Sequence, residues 1–450
     1  MSAFRTEHSW RRQQSAYLFA RKMKSLFQKW RIPFLLFFLL SSAVTGGWVV
    51  FNTFRSGTDA PHPPAVSTVS LPSPVHLTRA QVREMIKDED LVNAARNVFL
   101  MDTPMGFVQV GTFLDVGLTG FLNARLDQLK TLTRGKPRQI AVVVMDGHQG
   151  HILAMAGFDL ESSDTNPCTQ AIYPAASIFK IVTAAAAMDA LNYTPKTPLY
   201  FNGNKYTLYK RQLREVKNKY TIKVSLEKAF AESINPVFGK LGQTYLGRDT
   251  LSSYAHAFGF NQTPDTDLMF DTGVFHTTDT DFHLAELGCG FNRDTVISPV
   301  FGAMMLTPLL NEGRSVLPAV IRQVTDADGN LIYQHTPALS FTAMSPETAL
   351  AMAGLMEKTV TQGTARKSFG SFSRDKVLSR LSIGGKTGSL SNREHTIKYD
   401  WFTGFARQKT GTRAITFSVV VGHGEYIGTR AASHARSLIK HYFESHPPTD

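Results

Sequence analysis

The chain has 450 residues, of which 43% are hydrophobic and 19% charged, with a formal net charge of +12. This length and apolar content exclude a disordered or fibrous chain and allow one large or two moderate domains, each with a core. The charge does not mark a nucleic-acid binder: residues 1–31 hold eight Lys/Arg against the single acid Glu7 and so supply +7 of the total, leaving +5 for the rest.

Residues 32–54 follow without one charged side chain. As a helix they would run roughly 34 Å, against a hydrocarbon core of about 30 Å. The basic stretch before them is too long for the n-region of a cleaved signal, so a retained transmembrane anchor is expected. The positive-inside rule puts the basic tail in the cytoplasm and everything after Arg55 outside. Residues 55–77 hold Pro61, Pro63, Pro64, Pro72 and Pro74 among Ser, Thr and Gly, the composition of a semi-extended spacer. The two cysteines, Cys168 and Cys289, would be free to pair outside the cytoplasm, but nothing in the sequence brings them together. There is no CxxC or HExxH, so neither a metal site nor a cofactor is expected.

Thr78 reads as an N-cap, and Val82, Met85, Ile86, Val92 and Ala95 continue at near-helical spacing, predicting a helix over 79–101. A short strand is expected over 107–114 and an amphipathic helix over 116–132. Residues 140–145 and 152–156 are β-rich runs separated by Asp146-Gly147-His148-Gln149-Gly150, a hairpin. An apolar helix is expected from Ser177 through Met188, with others over 226–246 and 346–361. Strands return at 381–385, 401–406 and 415–421, and a helix over 429–442 closes the chain. Strands at both ends with helices between predict an α+β body, its antiparallel sheet completed by distant segments. The organisation expected is a basic tail (1–31), an anchor (32–54), a Pro-rich linker (55–77), a short membrane-proximal segment (78–134) and a main domain (135–450).

Three short motifs stand in that main domain. In Ser177-Ile178-Phe179-Lys180, the serine needs a base to become a nucleophile, and positions i and i+3 of a helix share a face, so the Lys180 amine can reach the hydroxyl. Lysine serves as a base only where burial or a neighbouring cation lowers its pKa. In Ser233-Ile234-Asn235, the hydroxyl can relay a proton, and the amide can hold both a substrate carbonyl and a lysine. In Lys386-Thr387-Gly388-Ser389, at the end of an expected strand, a cation and a hydroxyl face a carboxylate, the glycine lets a ligand approach the backbone, and the next N–H can donate to an oxyanion. Each motif alone is weak; the three in order, beside an anchor, are not.

With these motifs the chain resembles the penicillin-binding proteins, the D,D-transpeptidases of cell-wall synthesis, whose signature is the same serine, lysine and Lys-Thr-Gly set. The likeness extends to GTFLD (111–115), VVVMDGHQGHILAMA (142–156), SLEKAFAESINPVFGKLG (225–242), LGCGFNRDTVISPVFGAMML (287–306), QGTA (362–365) and DWFTGFA (400–406). It implies the transpeptidase and serine β-lactamase-like fold: an antiparallel sheet flanked by helices, plus an all-helical subdomain. It also implies Ser177 as the acylated serine, Lys180 as base, Ser233 as proton relay and Asn235 as substrate clamp. Lys386 and Thr387 would hold a terminal carboxylate, Gly388 would let it approach the backbone, and the N–H groups of Ser177 and Ser389 would form the oxyanion hole. The partners implied are peptidoglycan stem peptides, β-lactams and other cell-wall synthesis proteins. Two departures stand out: Ala175-Ala176 precedes the serine where the family often has glycine, altering the helix entry, and 78–134 leaves no room for a glycosyltransferase domain.

Three other readings stay open. A D,D-carboxypeptidase would send water to the same ester. A β-lactamase would need fast deacylation, for which Ile234 and the lack of a candidate loop glutamate offer no support. A non-catalytic penicillin sensor or scaffold would have no need of the intact motifs. Phe258, Phe260, Trp401 and Phe402 are expected in the core, His395 in solvent, and Tyr173 is a residue that could reach the site mouth.

Overall fold

The computed structural model describes residues 76–447, apart from 163–165, 279 and 338. The basic tail, the expected anchor and nearly all of the linker lie outside the described residues. No helix among the described residues is long and apolar enough to cross a membrane.

The core of the fold is a five-stranded antiparallel sheet built from β1 (Pro137–Asp146), β2 (Ile152–Asp159), β3 (Leu381–Ser391), β4 (Lys398–Gln408) and β5 (Ala414–His423), in the order β3-β4-β5-β1-β2. The first hairpin is thus joined to three strands from the far end of the chain, and β3 is left at an edge. The β-branched run of β1 serves two cores, because successive side chains of a strand point to opposite faces. Ile140, Val142 and Val144 pack with Leu118, Leu122 and Leu438 on one face. Ala141, Val143 and Met145 pack with Ile178, Ile181 and Val182 on the other. All ten residues of β5 are buried, as a strand covered on both sides requires.

Five helices matter for the site: α1 (Lys180–Leu191), α2 (Asn235–Lys240), α3 (Asp281–Cys289), α4 (Pro346–Thr361) and α5 (Ala431–Ser445). The first three belong to the helical subdomain, while α5 and Val116–Lys130 cover the opposite face of the sheet. A smaller four-stranded sheet joins Val98–Thr103 and Gly106–Thr112 to Ile321–Thr325 and Leu331–Gln334.

Two expected helices are shorter than their apolar spacing suggests. Thr78 does cap a helix, with Gln81 returning the capping-box bond, but the helix ends at Met85. Beyond it Asn93 takes a left-handed backbone (φ 61°) and exchanges hydrogen bonds with Gly157 of β2, Nδ2 donating to the carbonyl and Oδ1 accepting from the N–H. Val92 and Ala94 are therefore buried by docking on the sheet and not by a helix face. The segment 226–246 is likewise broken. Leu226–Ala231 ends at a turn in which Ser233 is left-handed (φ 56°), and α2 starts at Asn235 with Pro236 in its first turn. Proline lacks an N–H and suits a helix start, not a helix interior. One π-helical turn, Leu241–Leu246, then follows α2. Elsewhere the fit is closer: Val116–Lys130, Pro346–Thr361, β4 and β5 lie near where the pattern placed them, but β3 runs on to Ser391, so the Lys386–Ser389 motif lies inside the strand and not at its end.

Candidate active site

Ser177 sits in a single 3-10 turn, Ala176–Phe179, that runs directly into α1, so it is not yet on regular helix. Lys180 is the first residue of α1 and is completely buried. Its Nζ lies 2.7 Å from Ser177 Oγ, 2.8 Å from Asn235 Oδ1 and 2.6 Å from the backbone carbonyl of Cys289. Burial lowers the Lys180 pKa to about 8, with the nearby Cys289 thiol acting weakly in the other direction. Geometry and electrostatics then agree. A neutral amine has two hydrogens and one lone pair; the two carbonyl oxygens take the hydrogens, and the lone pair is left facing the serine hydroxyl.

The third partner of Lys180 is supplied by α3 through its Gly288-Cys289-Gly290 end. A Cβ on Gly288 would lie 2.7 Å from Gly242 Cα and from the Phe238 carbonyl, so only glycine lets α3 and the segment after α2 approach this closely. Gly290 adopts φ 71°, ψ 25° and terminates α3 as a left-handed C-cap. Its own Cβ would fall 1.9 Å from the Ala176 carbonyl. Ala176 is itself left-handed (φ 48°), which costs a non-glycine residue about 1–3 kcal/mol. The altered entry to the serine turn is therefore a strained alanine backed directly by a glycine. Replacing Gly290 with alanine is expected to lower the melting temperature and to slow labelling of Ser177 by a fluorescent penicillin roughly tenfold, since small misplacements of a reacting group are expensive. An unchanged labelling rate would show that the Ala176–Gly290 contact does not position the serine.

Across the cleft, Lys386 of β3 is also completely buried. Its Nζ donates to Ser233 Oγ (2.9 Å) and to the Thr387 carbonyl (2.8 Å). Its pKa is driven far down, first by burial and then by the charge of Lys180. Ser233 thus lies against one lysine while Asn235, two residues on, lies against the other. Asn235 Nδ2 donates to the Tyr206 carbonyl (2.9 Å), which fixes the amide orientation. Thr387 Oγ1 shares a 2.5 Å hydrogen bond with Thr364 Oγ1. A Cβ on Gly388 would lie 3.3 Å from Ile178 and Trp401 and 3.4 Å from the Ala175 carbonyl, so the edge strand runs close against the serine turn.

Ser177, Ser233, Asn235, Thr387, Gly388 and Ser389 line one cleft of about 600 Å³, and all eight residues singled out by the three motifs meet there or directly behind its wall. Tyr206, Phe291, Lys367, Lys398 and Arg430 also line it and were not singled out in the sequence. Asp400, opposite Ser389 in the β3–β4 register, accepts the Ala431 N–H at the start of α5 (2.8 Å) and lies 3.5 Å from Arg430. Its signal was within DWFTGFA, as those of Cys289 and Thr364 were within LGCGF and QGTA. Tyr173 is not at the mouth. It is fully buried, edge-on to Tyr399 and Trp401, and its hydroxyl donates to the Pro167 carbonyl (3.2 Å). Phe258, Phe260 and Phe402 are core, His395 is exposed, and Trp401 is buried with Nε1 donating to the Pro174 carbonyl. Cys168 and Cys289 are both free, buried thiols. Among the described residues no cluster of His, Cys, Asp and Glu has the makings of a metal site.

An antiparallel sheet with a Lys-Thr-Gly edge strand, facing a serine and a buried lysine at the head of an apolar helix, defines the class of active-site-serine penicillin-recognising folds. The chain belongs to the penicillin binding protein transpeptidase domain family, whose model matches residues 140–440. Among curated relatives it is 27% identical over 286 residues to the peptidoglycan D,D-transpeptidase PbpA of Mycolicibacterium smegmatis, covering 61% of this chain and 55% of that one. It is 26% identical over 325 residues to PbpA of Mycobacterium tuberculosis, covering 68% and 62%. The chain thus spans little more than half the length of these relatives. Two solved structures share the fold. The D,D-transpeptidase domain of a peptidoglycan glycosyltransferase from Eggerthella lenta superposes with a TM-score of 0.60 at 21% identity, covering 81% of this chain and 87% of that one. PBPA from M. tuberculosis superposes with 0.59 at 22%, covering 75% and 81%.

Proposed function

We propose that the chain is a peptidoglycan D,D-transpeptidase that passes through a Ser177 ester and is acylated by penicillin at the same oxygen. The observation that carries this reading is the placement of Lys180 Nζ 2.7 Å from Ser177 Oγ, with burial holding the amine near neutrality. Lys180 takes the Ser177 proton as Oγ attacks the carbonyl of the penultimate D-Ala. The N–H groups of Ser177 and Ser389 receive the developing oxyanion. Asn235 holds the donor backbone, and Thr387, with Lys386 behind it, holds the terminal carboxylate. The peptide C–N bond breaks, and the departing D-Ala amine is protonated through Ser233, which Lys386 contacts at 2.9 Å. An amine of a neighbouring stem then attacks the ester, gives up its proton along the same route, and Ser177 leaves as a hydroxyl. Water in place of the amine gives carboxypeptidase turnover.

The uncharged stretch 32–54 is proposed to anchor the chain in the inner membrane, with the catalytic domain on the far side and the basic tail in the cytoplasm, available to other cell-wall synthesis proteins. The segment 78–134 is proposed as the membrane-proximal support of a transpeptidase domain spanning 135–450. The test is to label the protein with a fluorescent penicillin and map the adduct. One adduct on the peptide containing Ser177 is expected, resolved only slowly by water because the ring-opened leaving group stays attached to the acyl group. Labelling elsewhere, or none, removes the proposal. Rapid loss of label to water alone would identify a β-lactamase.

A further inference from the structure

Between Pro198–Phe201 and Ile222–Ser225, two strands that pair as a hairpin, runs a loop of twenty residues, longer than a connection needs to be. It is not loose. Buried Gln212 closes it, Nε2 donating to the Asn202 and Asn204 carbonyls and Oε1 accepting from the Tyr209 N–H and the Thr207 hydroxyl. Its inner end is strapped to the second motif: the Asn235 N–H donates to the Lys205 carbonyl (2.7 Å), and Tyr206 is one of the residues that line the cleft.

Residues 200–223 carry seven Lys/Arg and the single acid Glu215, a net +6. With +7 in residues 1–31, the rest of the chain sums to −1. All the excess positive charge outside the tail is therefore in this one loop. Glu215, half-exposed, lies 3.5 Å from the Lys240 amine and accepts from the Tyr245 hydroxyl (2.9 Å). Lys205 is paired with Glu232 at 3.0 Å. The other six cations, Lys210, Arg211, Arg214, Lys217, Lys219 and Lys223, are exposed and have no carboxylate within 4.0 Å among the described residues. Interleaved with them are Tyr206, Tyr209 and Tyr220, exposed by 54%, 51% and 71%. Lys205, Arg211 and Lys219 sit over these rings at 5.1, 5.0 and 5.1 Å.

Unpaired cations in one field, set among half-exposed phenol rings, suit a polymer that offers carboxylates and flat, hydroxyl-bearing units. Tyrosine supplies an apolar face for sugar C–H groups and a hydroxyl for their oxygens. A lipid-embedding surface would expose Trp, Phe or Leu on an amphipathic helix; the two leucines of this loop, Leu208 and Leu213, are buried and its helix is a single 3-10 turn, Lys210–Gln212. Because Tyr206 belongs to both loop and cleft, the ligand is continuous with whatever enters the cleft.

We propose that the 202–221 loop and Lys223 form a docking site for an acidic glycan, the carboxylate-bearing strand from which the substrate stem hangs. Naming that strand rests on the function proposed above; the acidic-carbohydrate chemistry does not. The site would retain the strand while successive stems visit Ser177.

The full chain in detergent is incubated with purified insoluble sacculi and pelleted. The wild type is expected to sediment, and the K217Q/K219Q/K223Q variant to bind roughly tenfold or more weakly, the low end of what a focused charged patch supplies. The K217R/K219R/K223R variant is expected to bind as the wild type does. Sacculi whose carboxylates have been converted to amides are expected to lose the wild-type binding. Fluorescent penicillin should label all three proteins equally. Failure of that labelling in the wild type would defeat the proposed function and leave the sedimentation result standing. The docking proposal is overturned if the glutamine variant pellets like the wild type, or if amidated sacculi bind equally well. It is also overturned if the variants change binding only to phosphatidylglycerol vesicles, which would make the loop a lipid contact.

Discussion

Replacing Lys180 with glutamine is expected to cut the rate of penicillin acylation at Ser177 by roughly 10²–10⁴-fold, the range for loss of a positioned general base. Glutamine keeps an amide that can donate to the Asn235 and Cys289 oxygens, so the pocket retains a donor and loses only its base. The pH profile separates this from a packing defect. In the wild type Lys180 carries a proton below about 8 and loses it above. Acylation should therefore rise with pH through that value and level off beyond it. In the glutamine variant the limb disappears and the residual rate is flat. Second-order acylation rate constants measured between pH 6 and 10, with thermal melting as the control for folding, decide the matter. A variant that keeps the limb near 8 would assign the titration to another group and remove Lys180 from the base role.

Buried lysines within one site make this arrangement sensitive. Lys386 stands across the cleft in contact with Ser233, and the charge of Lys180 adds to the burial that lowers its pKa. Placing two ammonium groups in a dry wall is costly unless at least one gives up its proton. Burial, reinforced at Lys386 by the neighbouring charge, is thus the physical reason both lysines give up their protons more readily than a lysine in water.

How much of this was legible in the sequence depends on whether the determinant was a side chain or the backbone. The family and the α+β fold could be read because β1 and β5 carry continuous apolar runs, because α4 has a helical apolar pattern, and because three motifs stand in order. The Ser177–Lys180 contact was local, three residues apart. The Cys289 carbonyl was not legible as a lysine partner, since it is a backbone group 109 positions away that any residue type could present. What the sequence does show is the reason it arrives there: Gly288 permits the close approach and Gly290 ends the helix. The break at Ser233 was signalled by the Asn235-Pro236 pair but was outweighed by the apolar run around it. Val92 misled for a different reason, as its burial comes from the docking of Asn93 onto Gly157, a tertiary event with no local trace, while Ala95, counted on the same helix face, is exposed. Tyr206 and Arg430 line the cleft from loops, where no periodicity announces a residue's neighbours.

Asn235→Asp is the sharper test, because it changes charge and almost nothing of shape. In the wild type Oδ1 accepts from Lys180 at 2.8 Å and Nδ2 donates to the Tyr206 carbonyl at 2.9 Å. A carboxylate there places an anion in contact with the ammonium form of Lys180 inside a buried site. An opposite charge at that range favours the protonated amine and raises its pKa by about 1–3 units. Below the new pKa each unit costs a factor of ten in neutral amine, so acylation near pH 7 should fall by roughly 10–10³-fold. The limb of the profile moves to higher pH by the same amount, and much of the rate returns in alkaline buffer. The second oxygen now faces the Tyr206 carbonyl without a hydrogen between them, which loosens the strap that holds the 202–221 loop and leaves part of the loss unrecovered at any pH. Asn235→Ala provides the contrast: it removes the amide without adding charge, so its limb should stay near 8 at a lower plateau. If the aspartate variant keeps its limb near 8 as well, Asn235 acts on the substrate alone and does not tune the Lys180 amine, whose pKa burial lowers.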